Sequence, residues 1–229
     1  MKRIAIVATL LALTSEAAAQ EAVEYGPPAP QPRTQPSWDV LAGGVQRGDL
    51  AHATFGFSRL QLAYHRALTQ DLTVGGSVAF DYAHWAPADS FGSAFTVGAP
   101  VRWSAYHRHR LSIGLYGEPA LYFGFSQPRF SQFIAGLGLN VGGNAGWRLY
   151  EWLQVGVGLD VPLLFGLPTD GRDAFVAMPV LVGPTAELYL GDDWAITGEA
   201  KIGPHVVSDD FFGTRFGMRL VAGIAKRFP

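Results

Sequence analysis

Apolar residues alternate with small or polar residues along most of the chain. In the stretch FIAGLGLNVGGNAGW, from Phe133 to Trp147, one set of alternate positions is mostly apolar, whereas the other is nearly all glycine and asparagine. A period of two predicts a β-strand. A soluble sandwich strand would carry charged or polar side chains on its outer face. This stretch instead predicts a strand with one face toward lipid and the other toward a narrow lumen.

The same alternation recurs in ten segments after Ser37. They lie near 38–47, 54–66, 72–83, 93–105, 111–125, 133–147, 153–164, 176–189, 194–206 and 214–228. A tilted membrane strand needs about 9–11 residues, which these segments match or slightly exceed. Tight connections such as HRHR and LGDD alternate with longer ones such as HWAPADSFG. The pattern predicts a closed antiparallel up-and-down transmembrane β-barrel of about ten strands, with eight as the alternative count.

Aromatic residues are sorted between the two ends of the predicted strands. Beside the short turns lie Trp38, Trp103, Trp147, Trp152 and Trp194, together with Tyr64, Tyr106, Tyr150 and Tyr189. Nearly all phenylalanines lie near the longer loops instead. Two aromatic belts that flank an aliphatic band are typical of the two interfaces of a membrane. With an even number of strands, both chain ends lie on the short-turn side, so we expect the five tryptophans to form the periplasmic aromatic belt.

Composition excludes several kinds of partner. Charged residues make up only 16% of the chain, against about 25% in soluble domains. The net charge of −2 gives no basic surface for nucleic acid. The chain contains no cysteine, which excludes disulfides and thiolate metal sites. We expect no cofactor and no metal.

The N-terminus predicts export. Lys2 and Arg3 precede an apolar run from Ile4 to Leu13, and small residues at 17–19 fit a cleavage site. This is the pattern of a secretory signal peptide, which we place at 1–19. The Pro-rich stretch EYGPPAPQPRTQP predicts an extended periplasmic linker over 20–37, followed by the barrel over 38–229.

On these features the chain resembles the small bacterial outer-membrane β-barrel proteins, a broad group that includes the OmpA-type membrane domains, from Trp38 to Phe228. The resemblance implies integral residence in the outer membrane of a Gram-negative cell envelope after signal-peptide cleavage. It also implies contact with lipid and lipopolysaccharide, and insertion by the barrel insertion machinery, which reads the C-terminal strand. Phe228 stands one residue before the end, and Lys226 replaces an apolar residue common in that strand.

Ionisable residues fall on the face opposite the apolar one and are expected to line the lumen. They are Arg59, Asp81, Arg102, Glu118, Asp160, Glu187, Glu199, Lys201, His205, Arg215 and Arg219. Charges in so narrow a space must pair or reach water. Because acids and bases balance, whereas ion-selective pores carry rings of one sign, we expect ion pairs that mostly plug the barrel. The interpretation is a non-enzymatic barrel with a structural or surface-interaction role; a narrow non-specific pore is the alternative.

The last hairpin carries a more detailed expectation. Antiparallel pairing around its loop places Lys201 beside Arg219 in the lumen. Glu199 is then the nearest acid that could separate the two cations, with Glu118 and Asp160 next. The glycines Gly136, Gly138, Gly142 and Gly146 are expected to leave room for Tyr116, Tyr122, Glu118 or Arg219 to cross the lumen.

Four other readings have weaker support. An outer-rim hydrolase that resembles the omptin proteases would need a carboxylate pair and an Asp–His pair; the candidates are Asp209, Asp210, Asp81, His84 and His205. A lipid-modifying Ser–His pair is disfavoured, because Ser208 and His205 are three residues apart and fall on opposite faces of a strand. His107 and His109 fit a solvated basic turn near lipid headgroups better than a metal site. A soluble lipocalin-like barrel would carry its apolar residues inside, around a ligand.

Overall fold

The computed structural model describes residues 39–41, 48–57, 59–84, 92–126, 132–169, 174–208 and 215–228. The chain divides into two compact units, Met1–Gln35 and Pro36–Pro229, and every described residue belongs to the second. The predicted signal peptide, the predicted linker and Trp38 lie outside the described residues. Within the described ranges, no helix is long and apolar enough to cross a membrane.

The described residues form one antiparallel sheet that closes on itself. Its segments are β1 (Asp49–Gly56), β2 (Arg59–Ala67), β3 (Leu72–His84), β4 (Gly92–Gly98), β5 (Val101–Arg108), β6 (Leu111–Ser126), β7 (Gln132–Tyr150), β8 (Leu153–Pro168), β9 (Phe175–Pro179), β10 (Leu181–Leu190), β11 (Trp194–Ser208) and β12 (Arg215–Phe228). Strand β1 pairs with both β2 and β12. No open edge therefore remains between the first and last strands.

Two of the barrel strands are interrupted. Segments β4 and β5 both pair with β3 and β6, and only Ala99 and Pro100 separate them. Segments β9 and β10 both pair with β8 and β11 across Val180. The ladder continues at each break, since Gly75 N–H donates to the Pro100 carbonyl and Val180 N–H to the Pro204 carbonyl, both at 2.9 Å. The twelve segments therefore make ten strands of a closed barrel, which confirms the predicted fold and count.

The outer face of this barrel is apolar and the inner face is polar. On β8, Val157, Leu159 and Leu163 are exposed on the outside, whereas Gln154 and Asp160 are buried inside. The alternation follows directly from the period of two in the sequence. A lipocalin-like barrel has the reverse arrangement, so the chain is a membrane β-barrel.

Four tight turns lie at one end of the barrel, together with the start of β1 and the end of β12. They span 68–71, 109–110, 151–152 and 191–193, and we call this end the short-turn end. Most connections at the opposite end, the long-loop end, are longer. The link between β1 and β2 is an exception, since only Phe57 and Ser58 separate the two strands.

The first two strands differ from the prediction. The sequence pattern predicted strands at 38–47 and 54–66, but the structure has them at Asp49–Gly56 and Arg59–Ala67. Because 49–56 already pairs with both neighbours, the closed ring has no place for a further strand. Asp39 and Val40 are instead fully buried inside the short-turn end.

Aromatic side chains crowd the outside of the short-turn end. Trp103, Trp147, Trp152 and Trp194 are exposed there, and the Trp152 ring stacks on Tyr150 at a centroid distance of 5.4 Å. The inclusion of Tyr189 in this belt was wrong, because its side chain is only 4% exposed and points into the barrel. Tyr189 is two residues from the inward-facing Glu187 and therefore shares its face.

Candidate functional site

A buried carboxylate joins four strands near the middle of the lumen. Asp160 on β8 is fully buried and accepts hydrogen bonds from Lys201 Nζ on β11 at 3.0 Å and from Arg219 Nη1 on β12 at 3.1 Å. The Tyr116 hydroxyl on β6 also donates to Asp160. Lys201 contacts Glu199 as well. These five residues are the central cluster, and their side chains cross the lumen from opposite walls.

Local strand geometry explains how the cluster forms. Lys201 lies directly opposite Arg219 in the β11–β12 ladder, as the hairpin pattern predicted. Two cations side by side need an acid between them. That acid is Asp160, whereas Glu199 is adjacent to Lys201 on the same face of β11.

Glycines make room for these long side chains. A Cβ atom at Gly142 would collide with the Tyr116 ring, and one at Gly158 would collide with the Lys201 side chain. Gly142 therefore has the predicted role toward Tyr116. Gly146 leaves room for Gln154, a partner that the sequence did not suggest.

Other lumen charges pair away from the central cluster. Arg59 Nε lies 3.8 Å from an Asp81 carboxylate oxygen, between β2 and β3. The Ser77 hydroxyl donates to Glu118. His205 is buried on β11. The side chain of Arg215 lies outside the described residues.

Two small cavities lie on either side of the central cluster. The larger, about 130 Å³, is lined by Arg59, Asp81 and His205 among others. The smaller, about 70 Å³, is lined by Leu41 and Arg102 among others. Both cavities share Arg219 in their walls. Within the described residues, the lumen thus contains two small cavities that adjoin at Arg219.

The short-turn end of the lumen is filled by residues 39–41, which we call the inserted segment. The Asp39 carboxylate accepts hydrogen bonds from Arg148 Nη2 at 2.9 Å and from the Tyr189 hydroxyl at 3.0 Å. His107 Nδ1 lies 3.3 Å from its other oxygen. Three strands thus converge on a single side chain that enters the barrel from the N-terminal side.

The backbone of the inserted segment is also clamped. Glu187 accepts hydrogen bonds from the Val40 and Leu41 N–H groups at 2.8 and 2.9 Å. Arg102 Nη1 donates to the Val40 carbonyl at 2.6 Å. The Val40 side chain packs in a small apolar cluster with Leu50, Tyr189, Ala195 and Ala225. Arg102 and Glu187 were predicted to pair with other lumen charges; they bind backbone groups instead.

Sequence reasoning missed Asp39, His107, Arg148 and Tyr189 as lumen residues. Arg148 follows the outward-facing Trp147, so the alternation of faces predicts that it points inward. This prediction was not made because Arg148 lies close to a turn. His107 is exposed, as predicted for a solvated turn, but it also contacts Asp39 and lies 3.1 Å from the Ser112 hydroxyl, which the sequence did not indicate. Nothing in the sequence indicated that Asp39 would enter the barrel.

The residues proposed for chemistry are not assembled in the described structure. Asp209 and Asp210 lie outside the described residues, as do the side chains of His84 and Ser208. Asp81 pairs with Arg59. Among the described residues, no group of three or more His, Cys, Asp or Glu side chains could hold a metal ion.

Asp39 makes the docking of the inserted segment depend on pH. Burial alone raises the pKa of Asp39, but the hydrogen bond with His107 and the charge of Arg148 outweigh it and hold the pKa below the usual 3.8. A group with a depressed pKa stabilises the bound state above its free pKa and loses that contribution as pH falls through the bound pKa. The contribution of the Asp39 charge to docking should therefore be complete above about pH 5 and weaken progressively below about pH 4.

Asp39→Asn should accordingly lower the free energy of unfolding by about 2 kcal/mol at pH 5, since a charge-assisted hydrogen bond is lost. The difference from wild type should shrink toward zero as the pH is lowered to about 2.5. Urea unfolding of both proteins in detergent measures this difference. The other ionisable groups that face Asp39, namely Arg148, His107, Tyr189 and Glu187, are common to both proteins. A difference that stays constant over this range would show that the Asp39 charge does not hold the segment.

Comparison with known proteins gives a distant likeness in structure. No protein-family model and no curated protein matches the chain. Solved structures that match include a KdgM porin in complex with disordered oligogalacturonate, with 11% identity and a TM-score of 0.31 over 80% of this chain and 99% of that one. A structure of KdgM porin alone gives 10% identity and a TM-score of 0.33 over the same shares. A likeness at this level carries no information about what this barrel binds or conducts.

Proposed function

We propose that this protein is a non-enzymatic integral outer-membrane β-barrel whose lumen is closed by polar side chains, with a structural or surface-interaction role. The observation that carries the proposal is the central cluster. Asp160, Lys201 and Arg219 meet from three strands and cross the path that ions would take. Since each charge has a partner of opposite sign, the cluster is stable without an ion from solution.

The proposed location and partners are supported by the apolar exterior and by the position of β12. The apolar outer face needs lipid, and the exposed tryptophans at the short-turn end suit a membrane interface. With the signal peptide expected at 1–19, the short-turn end faces the periplasm and the long-loop end faces lipopolysaccharide. Phe228 is exposed at the end of β12 and is available to the barrel insertion machinery.

Planar-bilayer recording tests the closed lumen directly. The refolded mature protein should insert without a steady current above that of the bare lipid, because the central cluster crosses the lumen. A gel shift between heated and unheated samples verifies that the barrel is folded, and flotation with liposomes verifies insertion. Discrete unitary currents from inserted wild-type protein would contradict the proposal.

A narrow non-specific pore is the second candidate function. It is favoured by the two cavities, whose walls share Glu118, Asn140 and Arg219. A shift of the Arg219 side chain would join the two chambers into a continuous polar path. Currents that appear in wild type and fall when the lumen is narrowed, for example by Gly138→Leu, would favour this candidate over the closed barrel.

A further inference from the structure

The short-turn end of the lumen has the features of a peptide-binding site. It offers a charged pocket for an acidic side chain, an apolar pocket for the next side chain, and clamps for the backbone between them. Arg148 and Tyr189 bind the Asp39 carboxylate, and Val40 is fully buried in the apolar cluster. In peptide recognition, hydrogen bonds to the main chain supply affinity and pockets for side chains supply specificity.

The clamps fit a chain that bends at Val40 and Leu41. Glu187 uses both carboxylate oxygens to accept from two successive N–H groups, those of Val40 and Leu41. Arg102 donates to the carbonyl between them. Glu187 is itself buried and has Gln154 Nε2 at 3.5 Å as a further donor. Glu187, Gln154 and Arg102 all lie on strands of the barrel, which fix their positions.

Docking of the inserted segment also carries an energetic cost. The Tyr189 hydroxyl lies 3.0 Å from the Asp39 carboxylate and 2.8 Å from the Glu187 carboxylate. A tyrosine hydroxyl has only one proton to donate, so at any moment one of the two carboxylates lacks that bond. Docking also brings the Asp39 carboxylate close to that of Glu187, and like charges repel. Release of the inserted segment would relieve this repulsion, and water would then hydrogen-bond to the two carboxylates.

We propose that the periplasmic end of the lumen is a binding site for a short bent peptide with an acidic residue followed by a small apolar one, and that the inserted segment is its tethered, exchangeable occupant. In the docked state, Leu41 of the inserted segment forms part of the wall of the smaller cavity. Its release opens that chamber toward the periplasm. The site accepts a competing peptide of the same chemistry whenever the segment is out.

Single cysteines report release, because the natural chain has none. Val40→Cys in the folded barrel should react with a water-soluble maleimide at least about tenfold more slowly than Gln70→Cys, which lies in an exposed turn at the same end. Adding Arg148→Gln should raise the Val40→Cys rate about tenfold, as loss of a charge-assisted hydrogen bond implies. Adding Arg66→Gln, an exposed arginine at the same end, should leave the rate unchanged.

Competition in trans tests the site itself. A tethered segment has an effective concentration in the millimolar range, so the peptide PSWDVL, which copies residues 36–41, is added at about 10 mM. It should raise the Val40→Cys labelling rate about threefold, whereas the same peptide with asparagine in place of aspartate should have little effect. Fast labelling of Val40→Cys in the otherwise natural chain would overturn the proposal. So would protection that neither peptide nor Arg148→Gln changes.

This inference rests on the closed lumen proposed above, but its failure is distinguishable from failure of that function. Protected and peptide-responsive Val40→Cys in a barrel that conducts would overturn the closed lumen alone. Freely labelled Val40→Cys in a barrel that does not conduct would overturn the exchangeable segment alone. The heated and unheated gel shift identifies folded protein in every sample.

Discussion

Asp160→Asn is expected to destabilise the barrel by about 3–5 kcal/mol, because it removes the carboxylate that bridges Lys201 and Arg219 and leaves an excess of buried positive charge. Asp160 is fully buried, and its Lys201 and Arg219 contacts are 3.0 and 3.1 Å long. The free energy of unfolding in urea, measured in detergent or liposomes, gives the effect. Asparagine keeps the size of the side chain, so the loss reports charge rather than packing.

Asp193→Asn is the matched control. Asp193 forms an ion pair with Arg227 at 3.4 Å on the exposed side of the short-turn end, where such pairs contribute about 0–1 kcal/mol. Adding Lys201→Met to Asp160→Asn should recover part of the loss, since one stranded cation is then gone. If Asp160→Asn costs no more than Asp193→Asn, or if the double variant shows strict additivity, the central cluster does not stabilise the lumen.

Leu139→Arg is expected to have the second largest effect, a loss of about 2–4 kcal/mol, because arginine at the midplane of a barrel's lipid face is costly. Leu139 lies near the middle of β7, is 45% exposed on the outer face, and pairs with Pro119 and Leu163. Unfolding in liposomes is the appropriate measurement, since the effect depends on the bilayer.

Leu68→Arg is the control for Leu139→Arg, because it places the same arginine at the short-turn end of the barrel instead of mid-strand. Leu68 is 58% exposed in the first short turn, where the same change should cost about 0–1 kcal/mol. Equal losses in the two variants would mean that the apolar face of β7 does not lie in the hydrocarbon region.

The fold was largely readable from the sequence because the barrel imposes a strict period of two. Once Leu139 was placed outside, every second residue of β7 followed, and the pairing of Lys201 with Arg219 followed from the position of the last loop. The same reasoning failed near Asp39. Val40 and Leu41 are adjacent apolar residues that already weaken a period of two, and only closure of β1 on β12 excludes a strand there.

The ion-pair partners of the lumen residues were less predictable from the sequence than the face of the strand on which each residue lies. The alternation of inward and outward side chains along β8 places Asp160 inside. Which cation it contacts depends on how far each side chain reaches across the barrel. The strands β6, β8, β11 and β12 that meet at Asp160 include pairs that are not neighbours in the sheet. Alternation along one strand contains no information about such contacts across the lumen, which is why Glu199 was favoured over Asp160 as the acid between the two cations.

The contacts of the inserted segment have a consequence for the order of folding. Its partners come from β5, β7 and β10, and the contacts between Asp39 and Tyr189 and between Val40 and Glu187 join residues 150 and 147 positions apart. No pair of neighbouring strands presents all of these partners, so the site comes into being only when the sheet is complete. Val40 also packs against Leu50 of β1 and Ala225 of β12, so docking of residues 39–41 is complete only after β1 has closed on β12. Until then residues 39–41 have no assembled site to occupy.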